Sequence, residues 1–487
     1  MSIGLFDILG PITVGPSSSH TAGAVRIGLV CRKLLGEDVR RAKVTFYGSF
    51  ADTYRGHGTD KAVIGGLLGF STDNEKIRES LGLTEFRGLS YEILTGEDPR
   101  YHPNTVVIEA SSKNNRVRLR GESVGGGAIR IAEINGLEAE ASFTEDTLIL
   151  FHRDEPGVMA GIANILSVNG YNIGNLRLSR ARREGDVITV VETDEEDCME
   201  IQSIDYLLDE SAKNNLSLGQ VVLREEQRDS GASAEAIRAR LERTWQVMKN
   251  AASAGIATDM KSVSGLTGGD AATYYRHCRN HKNLLGPLEA KAVAYALATS
   301  GYNAAMGVIA AAPTAGSAGI LPGVLIAAQE EYSFPDRDAL DALLTAAGIG
   351  AVTATRATIS GAAGGCQAEC GTAAAMAAAA LADAMGGFPR QCVNAAALAL
   401  KNSLGLVCDP VAGLVEVPCV KRNGIYAVLA IAAADLALAG IESFVPLDQV
   451  IDAMYQIGCG MPACVRETGE GGLAVTPAGI AAKRRLF

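Results

Sequence analysis

A long run of alanines places the strongest constraint on how this chain can fold. Residues 361–381 read GAAGGCQAECGTAAAMAAAAL. Alanine has the highest helix propensity and little side-chain bulk, so this stretch predicts a helix that packs closely against its neighbours. Gly364 and Gly365 let backbone or ligand approach Cys366, because neither carries a Cβ. Cys366 is therefore either a small buried apolar residue or a ligand for a soft metal.

The same Ala/Gly-rich character extends from Ile237 to the end of the chain. Residues 292–329 contain no charged side chain, a run longer than the roughly 20 residues of a membrane span. A transporter is therefore one alternative. Pro313, Pro322 and five glycines interrupt the run, and no second apolar span with basic flanks accompanies it. These features favour an all-α, Ala/Gly-rich bundle for residues 237–487.

Charge and length exclude other classes of protein. The formal charge of −11 and the absence of a Lys/Arg block argue against nucleic acid as a partner. A length of 487 residues predicts about two to four domains. The first eleven residues lack the basic start and long apolar core of a signal peptide. We therefore expect a cytoplasmic protein whose ten cysteines are thiols or metal ligands rather than disulfides.

The amino-terminal region, residues 1–143, has the pattern of an α/β domain. Strand-like runs occur at residues 42–47, 105–110, 116–120 and 129–133, separated by polar or glycine-rich turns. Two of the six histidines, His20 and His57, lie in Gly/Ser/Thr-rich entries to helices. The first entry, GPSSSHTAG, gathers hydroxyl and backbone N–H donors that suit a carboxylate or phosphate. The alternative is a capping turn with His20 on the surface.

A different alternation, βαββαβ, is predicted for residues 144–224. This order is the ferredoxin-like split unit, with its last strand in LSLGQVVLR. The sequence DEPGVMAGIANIL resembles the opening of an ACT domain, a module that often binds a small amino acid between two copies. The resemblance implies effector contacts at Asp154, Pro156, Gly157 and Asn172. A polar linker is expected at 225–236.

Several motifs together resemble the iron–sulfur-dependent L-serine dehydratase (L-serine ammonia-lyase) family. GPSSSHTAGAVRIG and YGSFADTYRGHGTD resemble motifs of the β region of that family. SGLTGGDA, APTAGSAGILPG, GGCQAECG, CDPVAGLVEVPC and GGLAVTPAG resemble motifs of its α region. With the ACT module they cover nearly the whole chain. The order β–ACT–α in one polypeptide is therefore expected.

The resemblance implies a set of site residues. Cys366, Cys408 and Cys419 would ligate a [4Fe–4S] cluster that leaves one iron open. His57 and His20 are candidates for the base that removes the α-proton of L-serine, and the sequence does not choose between them. The substrate would be held by Ser17, Ser18, Ser19, Thr21, Thr267 and Gly268. Cys370, Cys459 and Cys464 are not expected to be ligands, and a homodimer is expected because ACT modules commonly pair.

Two further functions are alternatives, besides the transporter, to the iron–sulfur enzyme. A serine dehydratase that uses pyridoxal phosphate would need a Schiff-base lysine in a phosphate-binding setting, and Lys261 comes nearest to one. A non-catalytic amino-acid sensor built on the ACT module would leave the three cysteine loops without a purpose.

Overall fold

The computed structural model describes residues 4–143, 146–194 and 201–486. The chain divides into two compact units. The first unit begins at Ser19 and includes the described residues as far as 194. The second consists of the residues before Ser19 together with residues 201–486. The expected boundary at residues 143 and 144 falls on the first gap, and residue 144 lies outside the described residues.

Residues 4–143 alternate helices with strands, as the sequence predicts. Their elements are α1 (Leu5–Ile8), β1 (Ile12–Val14), α2 (Ala24–Leu35), β2 (Arg41–Tyr47), α3 (Ser49–His57), α4 (Thr59–Leu67), α5 (Ser80–Arg87), β3 (Ser90–Gly96), β4 (Thr105–Ser111), β5 (Arg116–Gly125), β6 (Ala128–Ile134) and β7 (Leu137–Ala141). The last five and β2 form one sheet in the order β3-β2-β4-β5-β6-β7. Only the β2–β3 pair is parallel. The four predicted strand runs are confirmed as β2, β4, β5 and β6.

The next described segment, residues 146–194, forms a smaller antiparallel sheet. It contains β8 (Thr147–Arg153), α6 (Val158–Val168), β9 (Asn172–Arg180) and β10 (Asp186–Asp194). The strand order is β8-β10-β9. Helix α6 ends where predicted, just before Gly170, whose φ of 79° is the left-handed conformation that glycine adopts easily. The first four elements of the predicted split unit are therefore present.

The last element of that predicted unit is wrong, whereas its second helix is present as α7 (Ile204–Asn214). Helix α7 (Ile204–Asn214) is followed by another helix, α8 (Leu218–Ser230), and not by a strand. Ser217 caps α8 in a capping box with Gln220, which satisfies two free N–H groups of the first turn. The buried residues Leu218, Val221, Val222 and Glu225 follow a helical spacing rather than an alternating one. The βαββαβ order is thus not formed, and the expected linker 225–236 is helical as far as Ser230.

Residues 201–486 are mainly helical, as expected for the carboxy-terminal half. After α8 they contain α9 (Ala234–Ala257), α10 (Asp270–Asn280), α11 (Pro287–Ala304), β11 (Val308–Ala310), α12 (Ile320–Tyr332), α13 (Asp336–Arg356), α14 (Gly361–Gly364), α15 (Thr372–Ala384), α16 (Pro389–Lys401), α17 (Cys419–Leu438), α18 (Leu447–Gly460) and α19 (Pro477–Leu486). Strand β11 pairs antiparallel with β1. The region is therefore not purely α, and this pairing explains why residues 4–18 fold with the second unit.

The alanine run forms the centre of the second unit. Helix α15 packs against α12, α13, α16 and α17. Its alanines from Ala373 to Ala380 are fully buried. Small side chains allow several helices to approach one axis closely, so the run builds a dense core without large side chains.

The uncharged stretch at residues 292–329 is not one continuous helix. It divides into most of α11, the strand β11, a loop containing Pro313 and most of α12. Among the described residues, no helix combines the length and apolar character that crossing a bilayer requires. The transporter alternative depended on one continuous apolar segment, and residues 292–329 are instead divided by β11 and a loop.

Candidate functional site

The three cysteines that the sequence selects lie on separate segments of the second unit and are buried. Cys366 directly precedes a short π-helical turn, Gln367–Gly371. Cys408 lies in the loop after α16, where its N–H donates to Val465 O (2.9 Å). Cys419 is the first residue of α17. Their exposed fractions are 1%, 3% and 7%. Three segments that are far apart in the sequence thus each place a thiol in the same folded unit.

A carboxyl group accompanies two of these thiols. Ligand atoms of Cys366, Glu369 and Cys408 all lie within 4.8 Å of one another. Sequence reasoning missed Glu369. A signal was available in the sequence, because Cys366 and Glu369 are three positions apart. Residues at this spacing in a helical turn lie on one face. Cys419 lies outside this group of three, although its charge interacts with that of Cys366.

A glycine packs closely against this group. A Cβ added at Gly361 would lie 3.3 Å from Cys408 Sγ and 2.7 Å from Glu369 Oε2, so a larger residue there would collide with the site. Hydrogen bonds from the Cys370 and Cys408 thiols lower the pKa of Cys366, and the Arg422 guanidinium acts in the same direction. Cysteine binds metals as the thiolate. The hydrogen bond to Cys366 raises the pKa of Cys408, and burial raises that of Cys419. One cysteine favoured as the thiolate, beside two further buried thiols, suits a metal group bound by sulfur.

Arg422 also shapes the loop that carries Cys408. Its guanidinium donates to Val407 O (2.9 Å) and to Asp409 Oδ1 (3.0 Å), on either side of the cysteine. Asp409 Oδ2 accepts the N–H of Leu473 (2.8 Å), within the GGLAVTPAG motif. The motif at 471–479 therefore supports the cysteine loop and does not supply a ligand in this structure.

The two predicted histidines meet in the first unit. The ring centroids of His20 and His57 are 4.3 Å apart, and Thr21 Oγ1 donates to His57 O (3.0 Å). His20 Nε2 lies 3.0 Å from Ser49 Oγ. Both rings are buried, so the surface position considered for His20 is wrong. Burial lowers the pKa of His20 to about 4. Burial, and then the charge of His20, lower that of His57 well below its usual value.

The predicted substrate serines divide between the two units. Ser17 and Ser18 belong to the second unit and Ser19 and Thr21 to the first. Ser18 Oγ accepts the N–H of Ala315 (3.0 Å), in the motif APTAGSAGILPG. Gly316, the next residue, lies beside Glu369, because a Cβ added there would be 3.7 Å from Glu369 Oε2. The serine loop is thus connected through residues 315 and 316 to the cysteine site.

Thr267 and Gly268 occupy another loop of the second unit. Thr267 is buried, and its N–H donates to Ser262 Oγ (3.2 Å). The neighbouring Ser264 Oγ donates to Glu416 Oε2 (2.7 Å). Glu416 lies three residues before Cys419, so this loop approaches the third cysteine.

Comparison with known proteins agrees with this arrangement. The family "Serine dehydratase beta chain" matches residues 4–85, and "Serine dehydratase alpha chain" matches residues 213–474. The chain is 32% identical to the L-serine dehydratase of Streptomyces coelicolor over 98% of this chain and 99% of that protein. It is 33% identical to L-serine dehydratase 2 of Escherichia coli over 97% and 98%. The probable L-serine dehydratase alpha chain of Bacillus subtilis is 48% identical over 59% of this chain and 95% of its own length.

The chain belongs to the L-serine dehydratase family. Both regions of the family occur in one polypeptide with the β part first, which confirms the predicted fused order. Residues 86–212, which include most of the expected ACT module, lie outside both family matches.

The four residues expected to bind an effector do not lie close together within one chain. Asp154 accepts hydrogen bonds from Arg180 and from the N–H of Glu184 (3.0 Å). Pro156 and Gly157 are exposed beside it. Asn172 pairs with Asp194, whereas Arg153, next to Asp154, pairs with Asp186. Eight residues of extended strand span about 27 Å, so Asn172 lies at the opposite end of the sheet.

The remaining residues of interest have different environments. Cys370 is buried with its Sγ 3.8 Å from that of Cys366, while Cys459 and Cys464 are exposed. Lys261 is exposed and forms an isolated β-bridge with Gly268. A Schiff-base lysine needs a partly desolvated amine, so the position of Lys261 does not favour the pyridoxal alternative.

Proposed function

We propose that the protein converts L-serine to pyruvate and ammonia, with a [4Fe–4S] cluster held by Cys366, Cys408 and Cys419. The observation that carries this proposal is the cysteine site. Three buried cysteines come from separate segments, with Gly361 packed against Cys408. The chain is similar over nearly its whole length to proteins named L-serine dehydratase. The non-catalytic sensor leaves this site unexplained.

Dehydration of serine needs help at two atoms. Hydroxide is a poor leaving group, and a bound cluster with one open iron would supply a Lewis acid for its departure. The α-proton is weakly acidic and needs a positioned base. A general base contributes roughly 10²–10⁴ in rate. The resulting aminoacrylate would tautomerise and hydrolyse to pyruvate and ammonia.

His57 and His20 suit the role of base. A base must be unprotonated before it acts, and burial keeps both imidazoles neutral at physiological pH. The ring contact and the bond of Ser49 to His20 hold the pair in place. We assign proton transfer to this pair. Ser17, Ser18, Ser19, Thr21, Thr267 and Gly268 are proposed to hold the carboxylate and ammonium groups of the substrate.

We also propose that residues 146–194 are an ACT-related module that binds a small amino acid. Asp154, Pro156 and Gly157 lie at one end of its sheet and Asn172 at the other. One ligand can therefore contact all four only when two copies of the chain contribute, which is consistent with the expected homodimer.

The proposed function can be tested on one anaerobic preparation. Visible absorption, iron and acid-labile sulfide would be measured together with pyruvate formation from L-serine, before and after exposure to air. We expect a coloured protein that loses iron and activity together in air. A colourless, air-stable and fully active enzyme would contradict the cluster, and a coloured protein without turnover would contradict the reaction.

A further inference from the structure

Two buried asparagines hold one loop of the second unit from opposite sides. The loop is residues 312–319, which carries Thr314 and Ala315 and leads into α12. Asn303, near the end of α11, is 2% exposed, and Asn423, in the first turns of α17, is fully buried. Buried amides are retained where their hydrogen bonds fix a particular geometry.

Asn423 ties the loop to the third cysteine. Its Nδ2 donates to Cys419 O and to Gly316 O, both at 2.9 Å, and its Oδ1 accepts the N–H of Gly319 at 2.9 Å. Gly319 permits this approach, because an added Cβ would lie 3.0 Å from Asn423 Oδ1 and 2.4 Å from Ala296 O. One side chain therefore fixes the start of α17 relative to both ends of residues 316–319.

Asn303 ties the same loop to the serine loop. Its Nδ2 donates to Ala315 O (3.0 Å) and to Pro16 O (2.9 Å). The bond from Ala315 N–H to Ser18 Oγ reinforces this connection. Two successive carbonyls, those of Ala315 and Gly316, are thus held by two different asparagines.

We propose that Asn423 and Asn303 are positioning residues with separate tasks, Asn423 for the Cys419 thiol and Asn303 for the serine loop. This inference deepens the proposed function and rests on it. Groups that orient metal ligands from behind typically change metal affinity or activity about 10- to 100-fold when they are altered. A group that holds a substrate loop should instead change substrate affinity.

The test compares Asn423→Asp and Asn303→Asp in the anaerobic full-length protein. Aspartate keeps the shape of asparagine but replaces the Nδ2 donor with an acceptor facing two carbonyls. For Asn423→Asp we expect iron loss to a chelator about 10- to 100-fold faster, with KM for L-serine little changed in the iron-loaded fraction. For Asn303→Asp we expect wild-type iron retention and a KM raised about 10-fold, as for a lost buried hydrogen bond.

Asn214→Asp is the matched control. Asn214 Nδ2 also donates to a carbonyl four residues earlier, that of Glu210 (2.9 Å). Asn214 is at an exposed position of α7, so neither iron retention nor KM should change. Asn423→Ser and Asn303→Ser serve as second variants if either aspartate protein fails to fold. Each should show a smaller effect of the same kind.

Hydrogen exchange separates this inference from the proposed function. The amide of Gly319 should lose protection in Asn423→Ser, which removes the Oδ1 acceptor. The amide of Ala315, which donates to Ser18 Oγ, should lose protection in Asn303→Asp if the loop moves away from the serine loop. Both changes are expected whether or not the protein turns over serine. Equal loss of iron in both aspartate variants would overturn the division of tasks. So would wild-type iron retention in Asn423→Ser with Gly319 deprotected. Absence of serine turnover in the wild type would refute the proposed function alone.

Discussion

At the scale of single residues, burial gives the histidine pair its chemical state. An imidazole that loses water on folding is harder to protonate. His20 and His57 lie ring to ring, so a charge on one also opposes a charge on the other. Both imidazoles are therefore held in the neutral form, which can accept a proton.

The histidine pair predicts a pH dependence with a definite sign. Because the pKa of His20 falls from 6.5 to about 4 on folding, the unfolded chain binds more protons between these values. Stability should be complete above pH 6.5 and decrease as the pH falls towards 4, by about 3 kcal/mol for His20.

NMR titration of isotopically labelled histidine would follow this directly, with His20→Asn and His57→Asn to assign the signals. A midpoint near 6.5 for His20 would contradict a pKa lowered by burial.

The cysteines predict a pattern of metal retention. Serine in place of Cys366, Cys408 or Cys419 should lower bound iron at least about 10-fold. Removing a metal ligand should reduce iron binding more than removing a residue that only orients a ligand. Cys370→Ser should keep its iron, and exposed Cys464→Ser is the control. Iron and labile sulfide per chain would be measured after anaerobic purification. Full iron in Cys419→Ser, or none in a folded Cys370→Ser, would change the assigned ligand set.

At the scale of elements, the alanine helix α15 is the least tolerant of enlargement. Ala377 is fully buried among helices that approach closely. Ala377→Leu should destabilise the protein by about 1–3 kcal/mol through overpacking. Ala432→Leu, at an exposed position of α17, should have an effect within about 0.5 kcal/mol. Thermal unfolding followed by circular dichroism compares the two, and equal melting temperatures would mean that the core around α15 can expand.

At the scale of the whole molecule, the module of residues 146–194 leaves apolar side chains in water. Ile165 and Val168, one helical turn apart on α6, are 63% and 78% exposed. Contiguous exposed apolar surface often marks an interaction site. This agrees with the homodimer expected from the ACT resemblance.

Val168→Glu should therefore weaken self-association, because a carboxylate would have to lose water at the interface. Leu284→Glu changes a fully exposed leucine of the second unit and should have no effect. Sedimentation velocity would measure the dimer fraction over a range of concentrations. A wild-type protein that is monomeric at all concentrations would contradict the expected dimer. A dimer unaffected by Val168→Glu would show that the interface does not include Val168.

The sequence by itself determined the fused family order, the strands of the amino-terminal sheet and the alanine core. Local patterns in the sequence predict these features, such as the alternation of apolar and polar residues in β2 and the run of small residues in α15. It failed at α8, where a short apolar run fits a strand or a helix equally well. The Ser217–Gln220 capping box and the packing of one face decided for the helix.

Only the tertiary structure placed residues 4–18 with the second unit, through the pairing of β1 with β11. It also brought Glu369 beside the thiol of Cys408 and separated Asp154 from Asn172 by the length of a strand. Such relations depend on contacts between segments tens to hundreds of residues apart, or on strand register, and local composition encodes neither. The chemistry of each residue is thus local, while its partners are set by the fold.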